Sequence, residues 1–180
     1  MAFIQEKTGD NKKRTAVKAP FSNALVNSHG KLPPQSIDLE EAVLGALMLE
    51  KNALTAVIDI LTAKCFYKDA HQKIYEAIQR LFEKSKPIDI LTVTNELKEM
   101  GDLEVIGGPY YVTQLTNRVA SAANVEFHAR IILQKHIQRE LIRISSETIK
   151  DAFEDTTDVF NLLDKAEKNL FEITQGNIKK

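Results

Sequence analysis

Three histidines, His71, His128 and His136, and two close sets of carboxylates, Glu40-Glu41 and Asp151 with Glu154, are the side chains best suited to proton transfer or metal binding. Helical zinc sites bring two histidines together one turn apart, but His128 and His136 are eight residues apart and His71 is remote from both. A metal centre is therefore not expected, and the two distal histidines are assigned to the edge of a helix seam. The carboxylate sets fall on turns expected to face solvent or to end helices, where negative charge answers the helix dipole. Gly30-Lys31 has the closing dipeptide of a phosphate loop, but Leu25 replaces the required earlier glycine and Leu32 the following Ser or Thr. Gly107-Gly108 lacks both a preceding strand and a Lys-Ser/Thr tail. The expectation is a chain with no catalytic residue, cofactor or metal of its own.

The elements carrying these residues read as helices with short turns, an all-α fold. Pro33 and Pro34 hold the chain extended, and Ser36 or Asp38 is placed to cap a first helix over 37–50, with Glu41 at capping-box spacing from Asp38. A second helix is expected over 53–61 on Leu54, Val57, Ile58 and Leu61. Asp69 is placed to cap a third, which buries Ile74, Ile78, Leu81 and Phe82. Ile90, Val93, Leu97 and Met100 give a fourth that stops at Gly101, and Pro109 opens a fifth. Five short helices thus form a compact bundle, followed by a long antiparallel hairpin with arms starting near residues 124 and 159 and a turn at Asp155-Thr156-Thr157-Asp158. In the second arm, Val159, Leu163, Ala166, Leu170 and Ile173 alternate steps of four and three along one seam. Ile137, Leu141 and Ile144 keep that spacing in the first arm, while Ile142, Ile149 and Phe153 make a second stripe. One stripe can close the hairpin and leave the other for a partner.

Composition separates a tail from a body. Residues 1–31 hold six basic and two acidic side chains, +4, and the remaining 18 basic and 23 acidic side chains leave −5. The boundaries expected are a disordered basic tail over 1–32, a globular head over 33–121, a hairpin over 122–176 and the start of a linker over 177–180. An acidic body argues against broad nucleic-acid binding by the folded part. The absence of a long apolar run or an apolar leader argues against the membrane and the secretory route, and the single Cys65 fits a reducing, cytoplasmic setting. A winged-helix reading of ILTVTNELKEMGDLEV is opposed by Glu96, Glu99, Asp102 and Glu104 against Lys98, the reverse of a groove-reading helix.

In order and at nearly ungapped spacing, PPQSIDLEEAVLGALMLE, CFYKDAHQKIYEAI, PIDILTVTNELKEMG, IGGPYYVTQLTNRVASAANVEFHARIILQK and LLDKAEKNLFEI resemble the N-terminal domain of bacterial replicative DNA helicases, the DnaB family. The resemblance covers about residues 32–174. It implies a fragment of a longer protein whose ring-forming motor domain, absent from this sequence, binds ATP and magnesium and unwinds DNA at the replication fork; the fragment itself would do neither. It further implies self-association through hairpins, as a dimer or more and a hexamer in the full-length ring, contact with DNA only through that ring, and primase as principal partner, with a helicase loader as a further candidate. By position in the motifs, Tyr111 and Ile142 are the primase-contact candidates, with Thr148 beside them as a departure where a larger apolar residue is expected. Subunit-interface candidates are Ile137, Leu141, Ile144, Ile149, Phe153, Val159, Leu163 and Leu170. The competing reading is a stand-alone helical adaptor or winged-helix-like regulator, and a GxxxxGK[ST] segment encoded downstream would decide for the helicase.

Overall fold

A run as apolar as AVLGALML can be accommodated only where it is covered on nearly every side, and in the computed structural model it lies at the centre of the head. The structure describes residues 31–117, 119, 123–156 and 158–177. The expected basic tail, apart from Lys31 and Leu32, lies outside the described residues, as do Thr157 and the linker beyond residue 177. Around α1 (Ile37–Leu49) gather α2 (Ala53–Val57), a single 3₁₀ turn (Ala63–Cys65), α3 (Asp69–Glu83), α4 (Ile90–Met100) and α5 (Gly108–Asn117). Val43, Leu44, Ala46, Leu47 and Met48 of α1 are all buried against α2 to α5 and the first hairpin arm. Two long helices, α6 (Val125–Ala152) and α7 (Val159–Asn177), form the hairpin. No strand occurs among the described residues, and the expected all-α fold is the one observed.

Local chemistry accounts for most boundaries. The Asp89 carboxylate accepts the N–H groups of Leu91 and Thr92 at 2.9 Å, and the Thr92 hydroxyl accepts the N–H of Asp89 at 2.9 Å, a reciprocal cap that starts α4. Gly101 ends that helix at φ 79°, in the left-handed region that favours glycine. The Asp158 carboxylate caps α7 through the N–H groups of Phe160 and Asn161. Other starts differ from expectation. Ser36 occupies the N-cap of α1 without a side-chain hydrogen bond, its carbonyl instead accepting the N–H groups of Leu39 and Glu40. Lys68, not Asp69, precedes α3. Helix α2 stops at Val57, and Ile58 to Ile60 form turns, because Leu61 is buried only after the chain bends toward the 3₁₀ segment. Phe82 is 46 % exposed: Ile74, Ile78 and Leu81 already fill the buried face of α3, and Phe82 projects beside it.

A close helix approach occurs at Gly45, where α1 meets the end of α5. A Cβ there would collide with the Leu115 carbonyl and a Val119 methyl. Gly45→Ala is therefore expected to lose about 1–3 kcal/mol of unfolding free energy in urea titration, despite alanine's better helix propensity, because backbone must move to admit the methyl.

The hairpin seam is displaced by one residue from the expected one. Leu162, Ala166, Asn169 and Ile173 are the half-buried positions of α7, while Val159, Leu163 and Leu170 face outward. The spacing is the same four-three alternation, and Ala166 and Ile173 belong to both patterns. Choosing the more apolar of two neighbours favours Leu170, but the packed register takes Asn169. On α6, Ile144 is buried and Thr148 and Asp151 are half-buried, with Asp151 accepting Lys165 of α7 at 2.6 Å. Ile144 therefore belongs to the chain's own packing.

Candidate interaction surface and the polar network behind it

Glu40 and Glu41, expected at the surface, are buried on α1. Such burial requires that the carboxylate's oxygens be answered. Glu40, only 1 % exposed, accepts the Tyr67 N–H at 2.7 Å and lies 2.6 Å from Nδ1 of the fully buried His71. Nε2 of His71 is 2.7 Å from the Tyr111 hydroxyl, which also accepts Lys68 Nζ at 3.4 Å. The Glu40 carboxylate can only accept, so Nδ1 of His71 donates to it, while the Tyr111 oxygen takes the Lys68 ammonium. The order carboxylate, imidazole, hydroxyl is that of a nucleophile triad. Here His71 is fully buried and the half-buried Tyr111 turns its hydroxyl inward onto it. The arrangement is a structural relay joining α1, α3 and α5.

A second buried charge ties the hairpin to the head. Arg139 of α6 is 2 % exposed, donating to the Pro34 carbonyl at 2.9 Å and to the Cys65 carbonyl at 2.6 Å, with its guanidinium 5.6 Å from the Tyr67 ring. Burial pulls the guanidinium below its ordinary range, opposed by the Glu40 carboxylate. A third, Glu96, accepts Lys84 and Arg80 and is held below the usual carboxylate range mainly by the Lys84 hydrogen bond. It is thus withdrawn from the exposed acidic face that the sequence suggested for α4. Among the described residues every buried side-chain nitrogen and oxygen has a partner, and no cluster of potential metal ligands occurs.

Tyr111 is half-buried, with its hydroxyl turned into the relay; the exposed aromatic of α5 is its neighbour Tyr110, 73 % exposed and accepting Gln114 Nε2 at 3.0 Å. Ile142 is exposed one turn beyond Arg139, and Thr148 is half-buried with its hydroxyl donating to the Ile144 carbonyl. Tyr111 and Ile142 lie on helices that each pack on α1 and do not pack closely on each other. The Tyr67-Lys68 segment runs between them, Lys68 touching Tyr111 and Tyr67 facing Arg139. Of the interface candidates, Leu141, Ile149, Phe153, Val159, Leu163 and Leu170 are exposed, and Ile137 is half-buried. Phe160 and Phe171 extend that apolar surface and were not singled out in the sequence. A depression of about 310 Å³, lined by Lys86, Pro87, Leu91, Thr92, Asn95 and Glu96 among others, shares no residue with the relay.

His136, half-buried near Arg139, supplies a pH dependence. Burial first, and then the Arg139 charge, push its imidazole below the ordinary value of 6.5. The unfolded chain therefore binds that proton more readily, so this contribution is complete above about pH 6.5 and is lost as pH falls toward the lower folded value. The fall in Tm between pH 7.5 and 5.5 should be smaller in His136→Gln than in the parent chain.

Comparison with known proteins agrees with this architecture. A family model described as the DnaB-like helicase N-terminal domain matches residues 32–134. The replicative DNA helicase DnaB of Rhodothermus marinus is 41 % identical over 98 % of this chain and 18 % of its own length, an alignment that takes in most of the first thirty residues. The replicative DNA helicase DnaC of Bacillus subtilis is 42 % identical over 81 % of this chain and 32 % of its own. This chain therefore spans about a fifth to a third of those relatives. Among solved structures, the N-terminal domain of DnaB helicase from Mycobacterium tuberculosis superposes with TM-score 0.73 at 32 % identity, over 78 % of this chain and 99 % of that one. A DnaB-like replicative helicase described with its interactions with primase shares the fold, with TM-score 0.66 at 24 % identity over 79 % of this chain and 32 % of that one. In sequence over most of its head and in fold over nearly the whole of a solved relative, the chain belongs to the DnaB-like helicase N-terminal domain family.

Proposed function

We propose that this chain is a noncatalytic assembly domain of a replicative DNA helicase, pairing with further copies through its hairpin and docking primase on a face made by α5 and the exposed side of α6. The observation that carries the reading is the row of exposed apolar side chains on the hairpin, Ile149, Phe153, Val159, Leu163 and Leu170, uncovered by the chain's own packing. Apolar surface on that scale favours a protein partner. ATP and magnesium belong, in this reading, to the motor domain of the full-length helicase, through which DNA is also contacted. The acidic body of the chain is consistent with that division.

Sedimentation across a concentration series should show a dimer or larger species, and a monomer at every concentration would defeat the assembly role. For docking, the helicase-binding domain of the primase from the same genome is the probe. Ile142→Asp is expected to weaken its binding at least about tenfold with circular dichroism unchanged, because Ile142 is exposed within the chain and an apolar anchor carries a large share of interface energy. Loss of self-association in Ile142→Asp, with primase still bound, would place Ile142 in the subunit interface instead. The winged-helix alternative lacks a wing among the described residues, since none is a strand.

A further inference from the structure

We propose that Glu40, His71 and Tyr111 are positioning residues for the docking face of α5, acting from beneath the helix while a partner meets Tyr110 and Gln114 on its outer side. The inference rests on the reading of α5 as part of the primase-docking face. The Tyr111 hydroxyl supplies a directional link from the first turns of α5 to α3 and, through His71, to α1. Gly107 and Gly108 both have positive φ, 108° and 75°, and the buried Ile106 and Val112 on either side hold α5 on the core, to which the Tyr111 hydroxyl adds a directional constraint. The His71 and Tyr111 rings lie nearly parallel, 15° apart, with centroids 6.1 Å apart, so a rotation of α5 that re-aimed Tyr110 would also break the 2.7 Å bond. On the adjoining, solvent-facing side of the helix, Tyr110 and Gln114 are exposed and joined to each other, a preformed polar-aromatic pair. His71 is fully buried and cannot touch a partner.

Two conservative variants separate positioning from contact. Tyr111→Phe keeps the ring and removes only the hydroxyl; His71→Gln breaks the relay at a site no partner reaches. Each should lower affinity for the helicase-binding domain of primase about five- to tenfold with helical content retained, and the double variant should lose no more than the worse single one. Amide hydrogen exchange in the uncomplexed chain should quicken at Tyr110 to Thr116 in Tyr111→Phe, while the amides of α1 and α3 are unchanged. If Tyr111→Phe weakens binding but His71→Gln does not, the hydroxyl is a direct contact and the proposal falls. Unchanged exchange in α5 also overturns it. Should the parent chain fail to bind primase at all, the docking reading fails, and the exchange experiment alone still decides whether the relay positions α5.

Discussion

Arg139→Met is expected to lower the unfolding free energy by about 3 kcal/mol, measured by urea titration, with a fall in Tm of about 10 °C in a domain of this size. Methionine occupies much of the same space, so cavity formation is kept small and the loss isolates the guanidinium. Two charge-assisted hydrogen bonds disappear together, and the carbonyls of Pro34 and Cys65 are left without those donors beneath a hairpin that covers them. Arg139→Lys should recover only part of the loss. A single ammonium lacks the planar fork that serves carbonyls on two separate segments, one before α1 and one at the 3₁₀ turn. The residue closes a junction between parts of the chain 105 and 74 positions apart in sequence. Amide exchange should therefore quicken first at the junction of α6 with the head, before the core around Val43 and Leu44 opens. A Tm within about 2 °C of the parent chain would mean that Arg139 is a passenger in that junction.

Such a residue marks the limit of what the sequence discloses. Helices α4 and α6 could be placed because their signals are local: the spacing of Ile90, Val93, Leu97 and Met100 and the stop at Gly101 mark one, and an unbroken run without glycine or proline makes the other. The buried charges have no local signal. Glu40, His71, Glu96 and Arg139 look like surface residues when each is judged by its own polarity, and each is buried because a distant segment supplies its hydrogen-bond or charge partner. Glu40 and His71 are separated by 31 residues, and no periodicity connects them. A hint was available in α1, where the apolar residues occupy so many faces that a polar residue among them must also be covered. Tyr110 and Tyr111 pose the same difficulty in miniature. Adjacent tyrosines are equivalent in composition, and only the helix phase decides that one meets His71 and the other solvent.

Leu163→Asp is expected to raise the dissociation constant for self-association at least about 100-fold, because an unpaired carboxylate in a closed apolar contact costs upward of about 3 kcal/mol. Leu163 is 65 % exposed in the single chain, so the substitution should leave the helical dichroism and the α6–α7 pairing intact. Its neighbour provides the contrast. Leu162 is half-buried in the seam, and Leu162→Asp should loosen the hairpin itself, lowering helical content before any effect on association can be isolated. The two adjacent positions thus test the one-residue displacement of the seam and the role of the uncovered face together. Helix α7 has a strong reason to acquire a second partner. It packs on α6 by a seam that contains Asn169, while Phe160, Leu163, Leu170 and Phe171 remain in water. In the assembly reading proposed above, a helix buried so lightly on one side and so apolar on the other covers its outer face with a neighbouring copy. If Leu163→Asp sediments like the parent chain at every concentration, that face is not where copies meet. If instead Leu163→Asp unfolds the hairpin and Leu162→Asp does not, the seam runs through Leu163, Leu170 and the register first suggested by apolarity.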